Sequence, residues 1–386
     1  MDIRWPCLVA EPSIGCRTVN PRKLCWGILG TAQIARKNWK AIQLSGNSTV
    51  TAVASRDEER SRRFIAECQA QAPMEVIPQA FGRYEDLLAC EAVNAVYIPL
   101  PTGLRQEWVL RAAQAGKHVV CEKPCATSVA DLQEMVEACR LQGVQFMDGV
   151  MFMHSQRLPL LRKVLDDGQN VGDARRITSA FTFRQSQDFF ADNIRTLSSL
   201  EHYGCLGDLG WYCIRFALWV RNWQMPLEVT GRLLSEHRRP DSPAAVPTAF
   251  SGELLFAGGV SADFYCSFLT ETEQWVRISG TRGCLQMMDF VLPMAGTELS
   301  FEVHHADFQV NGCDFRLDTH PSRFTVNEHS HGHPSAQETN LFRNFAAQAL
   351  SGQLNQTWPE AALKTHMVMC ACLDSARAGG RSVQPG

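Results

Sequence analysis

The residue of this chain with the clearest chemical potential is Lys123, which follows a short apolar run at residues 118–121. Such a run is typical of a parallel strand, and open α/β sheets bind their ligands at the carboxyl ends of their strands. An ammonium group there can hydrogen-bond a reacting oxygen and stabilise the charge that develops on it. A solvated lysine at a strand end is the alternative, so this residue alone leaves both interpretations open.

A glycine turn at residues 27–35 lies between a predicted first strand and a predicted first helix. A dinucleotide pyrophosphate requires a tight turn, little side-chain bulk and the free N–H groups of a helix N-terminus. Gly30 suits the turn, Ala32 keeps the backbone accessible, and Ala35 lets the helix pack closely on the strand. Within a βαβαβ series, this pattern predicts a nucleotide site.

The predicted second strand ends in Ser55 and Arg56. A site that prefers NAD usually has an acidic residue here to hold the ribose 2′-hydroxyl. A hydroxyl and a guanidinium instead suit a 2′-phosphate, because both can hydrogen-bond the phosphate oxygens. We therefore expect NADP as the cofactor, with NAD as the alternative. Ser55 and Glu58 also fit a helix capping box, which would leave Arg56 free.

A polar stripe runs along the apolar segment at residues 208–220, which we predict to be a buried helix. Asp208, Tyr212 and Arg215 fall at i, i+4 and i+7, so they share one face. Polar groups on a buried helix need partners or a cavity. The stripe therefore indicates either a site or a set of internally satisfied core residues.

The elements that must position these residues fall into two groups. Up to residue 149, apolar runs alternate with helical stretches, which predicts parallel βαβ units with strands at 24–29, 50–55, 95–99, 118–121 and 144–148. Beyond residue 150, segments such as 260–268 alternate with a period of two, which is typical of half-buried strands. We predict an α/β Rossmann dinucleotide-binding domain followed by an α+β domain with a large, mainly antiparallel open sheet, closed by helices at 336–350 and 359–376.

Composition disfavours several other classes of protein. A net charge of −3 provides no basic field for nucleic acid, and no apolar run reaches the roughly 18 residues of a membrane span. The 15 cysteines have no regular spacing, which favours free thiols in a reducing compartment. Residues 1–23 lack the features of a signal peptide, so we expect a cytoplasmic protein. His329, His331 and His333 alternate, but Gly332 and Pro334 indicate a loop, so we expect no metal site.

Residues 115–124, which end in Cys-Glu-Lys-Pro, resemble the signature of the Gfo/Idh/MocA oxidoreductases. Residues 26–35, 96–102 and 204–212 are similar to further stretches of that family, in the same order, over about residues 24–378. The resemblance is greatest to the branch of dimeric dihydrodiol dehydrogenases and aldose (xylose or glucose) dehydrogenases. It implies a Rossmann domain at 24–149 and a substrate-binding and dimerisation domain at 150–378, flanked by an extension at 1–23 and a tail at 379–386.

The resemblance also implies roles for individual residues. Catalysis would fall to Lys123, Asp208 and Tyr212, with Tyr212 at a position where the family has His and where its dihydrodiol dehydrogenase and glucose–fructose oxidoreductase branches have Tyr. A phenol can serve there as proton donor and acceptor if the neighbouring Lys123 ammonium lowers its pKa. A cis Lys123–Pro124 bond is implied as well, and Arg105 stands where relatives commonly have His. The cofactor would contact Gly30, Thr31, Ala32, Ile34, Ser55, Arg56, Pro99, Leu100, Pro101, Thr102, Glu122 and Lys123, and the substrate would contact His154, Arg157, Arg195, Asp208 and Tyr212.

The expected activity is an NADP-dependent transfer of hydride between the nicotinamide and a CH–OH or C=O carbon of a sugar, a cyclic polyol or a dihydrodiol. We expect a homodimer that associates through the second sheet. Two alternatives stay open: a non-catalytic NADP(H)-binding redox sensor or scaffold, and an oxidoreductase that keeps its NADP bound and couples two sugars.

Overall fold

A computed structural model describes residues 23–386, so nearly all of the predicted N-terminal extension lies outside the described residues. The first domain is built on a six-stranded sheet in which every pairing is parallel, with the strand order β3-β2-β1-β4-β5-β6. The order reverses between β1 and β4, and ligands bind at such a switch point in open α/β sheets. The strands are β1 Leu24–Leu29, β2 Ser48–Ala54, β3 Gln79–Phe81, β4 Ala95–Ile98, β5 His118–Cys121 and β6 Phe146–Asp148.

Helices connect these strands, as the alternating pattern predicts, and the Rossmann fold is confirmed. They are α1 Gln33–Leu44, α2 Glu58–Gln71, α3 Tyr84–Ala89, α4 Thr102–Gln114 and α5 Val129–Leu141. The capping box predicted for Ser55 and Glu58 is wrong. The N-cap of α2 is Asp57, whose carboxylate accepts a 3.0 Å hydrogen bond from the backbone N–H of Glu59. The short strand β3 was not predicted, because three residues are too few to show a period.

The second domain is built on an eight-stranded sheet with the order β14-β13-β12-β11-β7-β10-β9-β8. All its pairings are antiparallel except β7 with β10, so the predicted mainly antiparallel sheet is confirmed. Its strands are β7 Ala174–Thr182, β8 Glu228–His237, β9 Val246–Phe256, β10 Val260–Ser267, β11 Glu273–Gly280, β12 Cys284–Met287, β13 Leu299–Asn311 and β14 Asp314–Val326. Helices α6 Arg157–Asp166, α7 Gln187–Asp192, α8 Trp211–Val220 and α10 Thr357–Arg377 accompany it.

Helix α9, Gln337–Ser351, follows the second sheet in sequence but packs on the first domain. Phe342 and Phe345 each lie 5.2 Å from the fully buried Trp26 of β1, measured between ring centroids. Burying an aromatic side chain of this size stabilises a fold by about 1.5–3 kcal/mol. Helix α9 lies within the predicted second domain at 150–378 but packs on the first domain, so a single boundary does not divide the chain in space.

Two further observations bear on the sequence-based expectations. Every cysteine in residues 23–386 is a free thiol. The helices in this part of the chain are all too short or too polar to cross a bilayer.

Candidate active site

The candidate site is a cleft of about 660 Å³ between the two domains. The first domain contributes the glycine turn and the ends of β4 and β5, at the switch point of its sheet. The second domain contributes α7, the loop that follows it and the segment that leads into α8. The described lining includes Ala32, Ile34, Pro99, Leu100, Glu122, Lys123, Arg195, Asp208 and Tyr212 from the predicted set, together with Gln33, Lys37, Arg105, Asn193 and Glu201.

The Lys123 ammonium and the Asp208 carboxylate form an ion pair across the domain boundary. The Lys123 Nζ lies 2.8 Å from the Asp208 Oδ1 and also donates to the Asp208 backbone carbonyl. The other carboxylate oxygen accepts from the Arg195 Nε at 2.8 Å. The predicted catalytic lysine and aspartate are thus in direct contact, with Arg195 as the third member.

This ion pair determines the charge states in the cleft. Burial alone would raise the pKa of Asp208, but Arg195 and Lys123 outweigh it and lower the pKa to about 2. Burial would lower the pKa of Lys123, but Asp208 and Tyr212 outweigh it and raise the pKa above its ordinary value. At neutral pH the cleft therefore contains a carboxylate between two cations, and Lys123 is a proton-bearing donor.

Tyr212 is enclosed by aromatic rings, with Phe181 at 5.4 Å and Phe152 at 6.1 Å between ring centroids. The Lys123 Nζ lies over the face of its ring, 4.7 Å from the centroid. Burial raises the pKa of the Tyr212 phenol to about 12, although the Lys123 charge acts to lower it. The expected lowering of this pKa is therefore wrong, because burial has a larger effect than the Lys123 charge.

The local backbone explains how Asp208 reaches Lys123. A π-helical turn at Leu206–Gly210 precedes α8, and such turns often occur at functional sites. A Cβ on Gly207 would lie 2.7 Å from the Tyr203 Cβ and 3.0 Å from the Pro124 Cγ, so only glycine allows this approach to the Lys123–Pro124 bond, which is cis.

Arg215 does not share the environment of Asp208 and Tyr212, although the sequence predicted one common face. Its guanidinium pairs with the buried Asp148 on another side of α8. Tyr212 and Arg215 lie three residues apart within α8, so their directions differ by about 60° around the helix axis, and this difference is enough to direct Arg215 toward Asp148.

The glycine turn is suited to hold a dinucleotide. Gly30 has a φ of +105°, and a Cβ there would lie 2.9 Å from the Leu100 Cδ2. Helix α1 begins directly after Ala32 with neither a side-chain cap nor an acidic residue in its first turn. Its N-terminal N–H groups are therefore available to an anion such as a pyrophosphate.

Two guanidinium groups lie near this turn, and only one of them was predicted. Arg56 is exposed after β2, and Arg60 of α2 donates from its Nε to the Thr31 Oγ1 at 2.8 Å. The Ser55 hydroxyl is buried and donates to the Asp57 carbonyl at 2.6 Å, so it shapes the loop. Arg60 lies in the first turn of α2, directly after the end of β2, and this position is the signal that could have revealed it.

The loop after β4 is held from beneath by Arg105 and Glu201. Arg105 donates to the Leu100 carbonyl at 2.7 Å and to the Thr102 Oγ1 at 2.9 Å. Glu201 accepts from the Thr102 hydroxyl at 2.7 Å. Arg105 therefore supports the loop, and its long side chain reaches both the loop and the Glu201 carboxylate, at 3.9 Å. Pro101 and Thr102 border the cleft from behind Leu100 and do not line it.

Glu122 is also oriented by a partner within the first domain. It accepts a 2.6 Å hydrogen bond from the buried Tyr97 hydroxyl, which in turn accepts from the Asn38 side chain at 2.6 Å. These hydrogen bonds fix the side chain of Glu122, which precedes Lys123, and so stabilise the loop that follows β5.

Two predicted substrate residues, His154 and Arg157, do not line the cleft. Arg157 is 1% exposed, and its Nη1 lies 2.5 Å from the Asp289 Oδ1. His154 faces a different cavity, beside Trp358 and Asn344. Both residues follow β6, where the chain crosses into the second domain. The sequence could not show that their side chains point away from the cleft, because the chain turns between β6 and α6.

The histidine cluster has a local explanation. The rings of His329 and His333 stack at 3.5 Å between centroids, and the Ser335 hydroxyl lies within hydrogen-bond distance of both. Within residues 23–386, no three His, Cys, Asp or Glu side chains are grouped as metal ligands.

The comparisons with known proteins agree with this geometry. Residues 24–150 match the model of the GFO/IDH/MocA oxidoreductase family, NAD-binding Rossmann fold, and residues 160–286 match the GFO/IDH/MocA C-terminal domain. The chain is 33% identical to D-xylose 1-dehydrogenase (NADP(+)) 2 of Haloferax volcanii over 72% of its length and 80% of the relative's. It is 30% identical to trans-1,2-dihydrobenzene-1,2-diol dehydrogenase of Sus scrofa over 74% of its length and 79% of the relative's.

Among solved structures, the chain is similar to a 3-ketoreductase from Actinomadura kijaniata in complex with NADP and TDP-benzene. The TM-score is 0.74 at 26% identity, covering 93% of this chain and 98% of the reductase. The names of the xylose dehydrogenase and the reductase structure both include NADP, in agreement with the predicted cofactor.

Proposed function

The chain belongs to the Gfo/Idh/MocA family of oxidoreductases, and we propose that it transfers a hydride between NADP and a CH–OH or C=O carbon of a sugar, a cyclic polyol or a dihydrodiol. One observation carries the proposal. Lys123, Asp208 and Tyr212 come from two domains and converge in one cleft that also reaches the glycine turn. A protein that only sensed or stored the nucleotide would not need this set.

When bound, NADP supplies or accepts the hydride at its nicotinamide. Lys123 stays protonated because Asp208 raises its pKa, so its ammonium can donate to the reacting oxygen and stabilise alkoxide character there. The Tyr212 hydroxyl donates a proton to that oxygen in reduction, and in oxidation its deprotonated form, the phenolate, accepts the proton of the substrate hydroxyl. Asp208 holds Lys123 in place and is itself held by Arg195.

The preference for NADP over NAD rests on Arg56 and Arg60. Both are exposed cations next to the glycine turn, and Arg60 contacts Thr31 directly. A 2′-phosphate there can be held by charge-assisted hydrogen bonds, which are roughly twice as strong as neutral ones.

The substrate class is supported by the balance of groups in the cleft and by the relatives. The Phe181 and Phe183 side chains provide an apolar wall, and Asn193, Arg195 and Glu201 provide hydrogen-bonding groups. A hydroxylated ring satisfies both kinds of surface. The substrates in the relatives' names, xylose and a dihydrobenzenediol, are compact and hydroxylated.

A homodimer through the second sheet is part of the proposal. Arg176, Asp263, Tyr265 and Trp275 share the face of this sheet opposite α8, where they border a shallow depression. A face that mixes aromatic and charged groups in this way is suited to a symmetric interface. Light scattering of wild type and Tyr265→Glu tests it, with a dimer expected only for the wild type.

The deciding experiment measures NADP reduction by the wild-type protein with a panel of aldoses, inositols and dihydrodiols. We expect turnover with at least one member, and NADPH binding that persists in Lys123→Met and Tyr212→Phe while their turnover is lost. A wild type that binds NADPH but turns over no member would favour the sensor. NADP that copurifies and survives dialysis would favour an enzyme that couples two sugars.

A further inference from the structure

A second cavity, of about 560 Å³, lies between the end of β6, α8, α9 and the start of α10. The two cavities share no lining residue, although Tyr212 faces one of them and Arg215 of the same helix faces the other. Its volume falls within the range of small-molecule pockets, which is roughly 300–1,000 Å³. The proposed reaction uses none of its residues.

The floor of this cavity carries no unpaired charge. Asp148 and Arg215 each expose only 3% of their side chains and contact each other through both carboxylate oxygens, at 2.5 and 3.3 Å. The remaining guanidinium nitrogen of Arg215, the Nε, donates to the Thr365 hydroxyl at 2.7 Å. A charged ligand would therefore find no counter-ion here, and an ionised group without one is costly to desolvate.

Three indole rings line the walls, from Trp219, Trp223 and Trp358. Trp223 adopts a left-handed backbone with a φ of +63°, directly after Asn222 with a φ of +50°. Large side chains rarely adopt this conformation, so the turn holds the Trp223 ring at the cavity against a local preference. None of the three indole N–H groups has an acceptor among residues 23–386, and none is sealed from solvent.

The remaining polar groups at the cavity are neutral donors and acceptors. The Asn344 amide donates to the His154 Nδ1 at 3.2 Å, which leaves the Nε2 as the protonated nitrogen of a neutral ring. That Nε2 has no partner among residues 23–386. Burial and the nearby Arg215 charge lower the pKa of His154 to about 4, so the ring stays neutral at physiological pH. Gln348 and Ser351 lie at the rim. The Ser351 hydroxyl donates to the Gln348 carbonyl, and the Gln348 amide donates to the Gln353 carbonyl, which leaves the Gln348 side-chain oxygen as the acceptor at this end of the cavity.

We propose that this cavity is a second, non-catalytic binding site for a neutral carbohydrate or cyclic polyol. The C–H face of such a ring packs on indole faces, and its hydroxyls can both donate to and accept from amides, hydroxyls and a neutral imidazole. The absence of an unpaired charge excludes sugar phosphates and acids. The proposal does not depend on the chemistry of the cleft.

The test uses the full chain with Lys123→Met, in which kcat is expected to be about 10²–10³ lower, saturated with NADPH. Calorimetry and tryptophan fluorescence follow titration with xylose, glucose and myo-inositol, and with glucuronate and glucosamine as charged analogues.

We expect at least one neutral ligand to bind, and we expect Trp358→Leu to weaken that binding about tenfold or more. Ala347→Trp, at an exposed rim position on α9, fills the cavity without touching the core and should have the same effect. Trp108→Leu, on α4 of the first domain and outside the lining of both cavities, is the matched control and should bind normally.

Three results would overturn the proposal: no neutral ligand binds, charged analogues bind equally well, or Arg195→Ala abolishes binding while Ala347→Trp leaves it unchanged. The last result would place the only sugar site in the active cleft. Turnover is measured separately with Lys123 intact. A chain that binds sugar in this cavity and reduces no NADP would contradict the proposed function alone.

Discussion

The ammonium nitrogen of Lys123 lies over the face of the Tyr212 ring, 4.7 Å from its centroid, and is held there by the carboxylate of Asp208. A cation over an aromatic face is attracted by the electron density of the ring. The lysine thus acts on the phenol through its charge, and because two of its three protons are donated to Asp208, one remains available to a substrate oxygen. The two side chains are 89 positions apart in the chain, and their meeting depends on the packing of one domain on the other.

Replacing Lys123 by Met should lower kcat by about 10²–10³, which is the effect of removing one donor to a developing oxyanion. NADPH binding should be retained, because the turn and the two arginines are untouched. Steady-state rates and NADPH fluorescence titration measure the two effects. Lys163→Met, at an exposed position of α6, is the control and should have wild-type rates.

The pH dependence of the reaction should follow the protonation state of Tyr212. Burial raises the pKa of its phenol to about 12, so the group holds its proton at neutral pH without cofactor. Oxidation needs a proton acceptor, so its kcat/KM should rise with pH through the neutral and alkaline range. Reduction needs a donor and should show the opposite trend at high pH. A Tyr212→Phe variant that kept both profiles would show that another group carries the proton.

Asp208→Asn should be less stable than the wild type at neutral pH, and the difference should disappear in acid. The pKa of Asp208 is lowered to about 2 in the folded protein, against about 3.9 in an unfolded chain. Its contribution is therefore fully present above the unfolded value and is lost as the pH falls through the folded value. Urea unfolding at pH 7 and at successively lower pH measures it. An equal difference at every pH would contradict the assignment.

Arg56→Ala and Arg60→Ala should each reduce the preference for NADP over NAD by roughly tenfold, the effect of about 1.4 kcal/mol in a charge-assisted contact. The ratio of kcat/KM for the two cofactors measures it. Arg62→Ala is the matched control, since Arg62 is on the same helix and pairs with Glu58. Unchanged selectivity in both variants would mean that these arginines only shape the loop.

Arg157→Met should destabilise the protein by about 3–5 kcal/mol, because it leaves the Asp289 carboxylate buried without its partner. The KM for substrate should not change, since Arg157 does not line the cleft. Adding Asp289→Asn to this variant should restore part of the stability. A raised KM for substrate in a folded Arg157→Met variant would show that Arg157 contributes to substrate binding.

The sequence predicted the first domain well because its signals are local. The runs at Leu24–Leu29 and His118–Cys121 are strands with the predicted bounds, and the glycine turn lies where it was expected. Lys123 at a strand end and Asp208 four residues before Tyr212 were likewise readable from spacing and from the family resemblance.

What could not be predicted depends on contacts between distant segments. The sequence did not indicate that Arg157 faces Asp289, because the partner is 132 residues away. The same holds for Glu201, which holds the loop at Thr102 from 99 residues away. The high pKa of Tyr212 also depends on burial between two domains, which spacing along one helix does not report. The sequence analysis also missed Arg60. Its contact with Thr31 depends on the direction that the first turn of α2 takes relative to the glycine turn.

Helix α9 packs on the first domain and α10 on the second, so three peptide connections cross between the two halves of the protein: one after Asp148, one before Gln337 and one after Ser351. Three crossings at separate points restrict the relative movement of the halves more than a single linker would. Lys123 belongs to the first half, and Asp208 and Tyr212 belong to the second. The proton-transfer groups therefore meet only while the halves keep this alignment, so the threading of the backbone also preserves the geometry of the reaction.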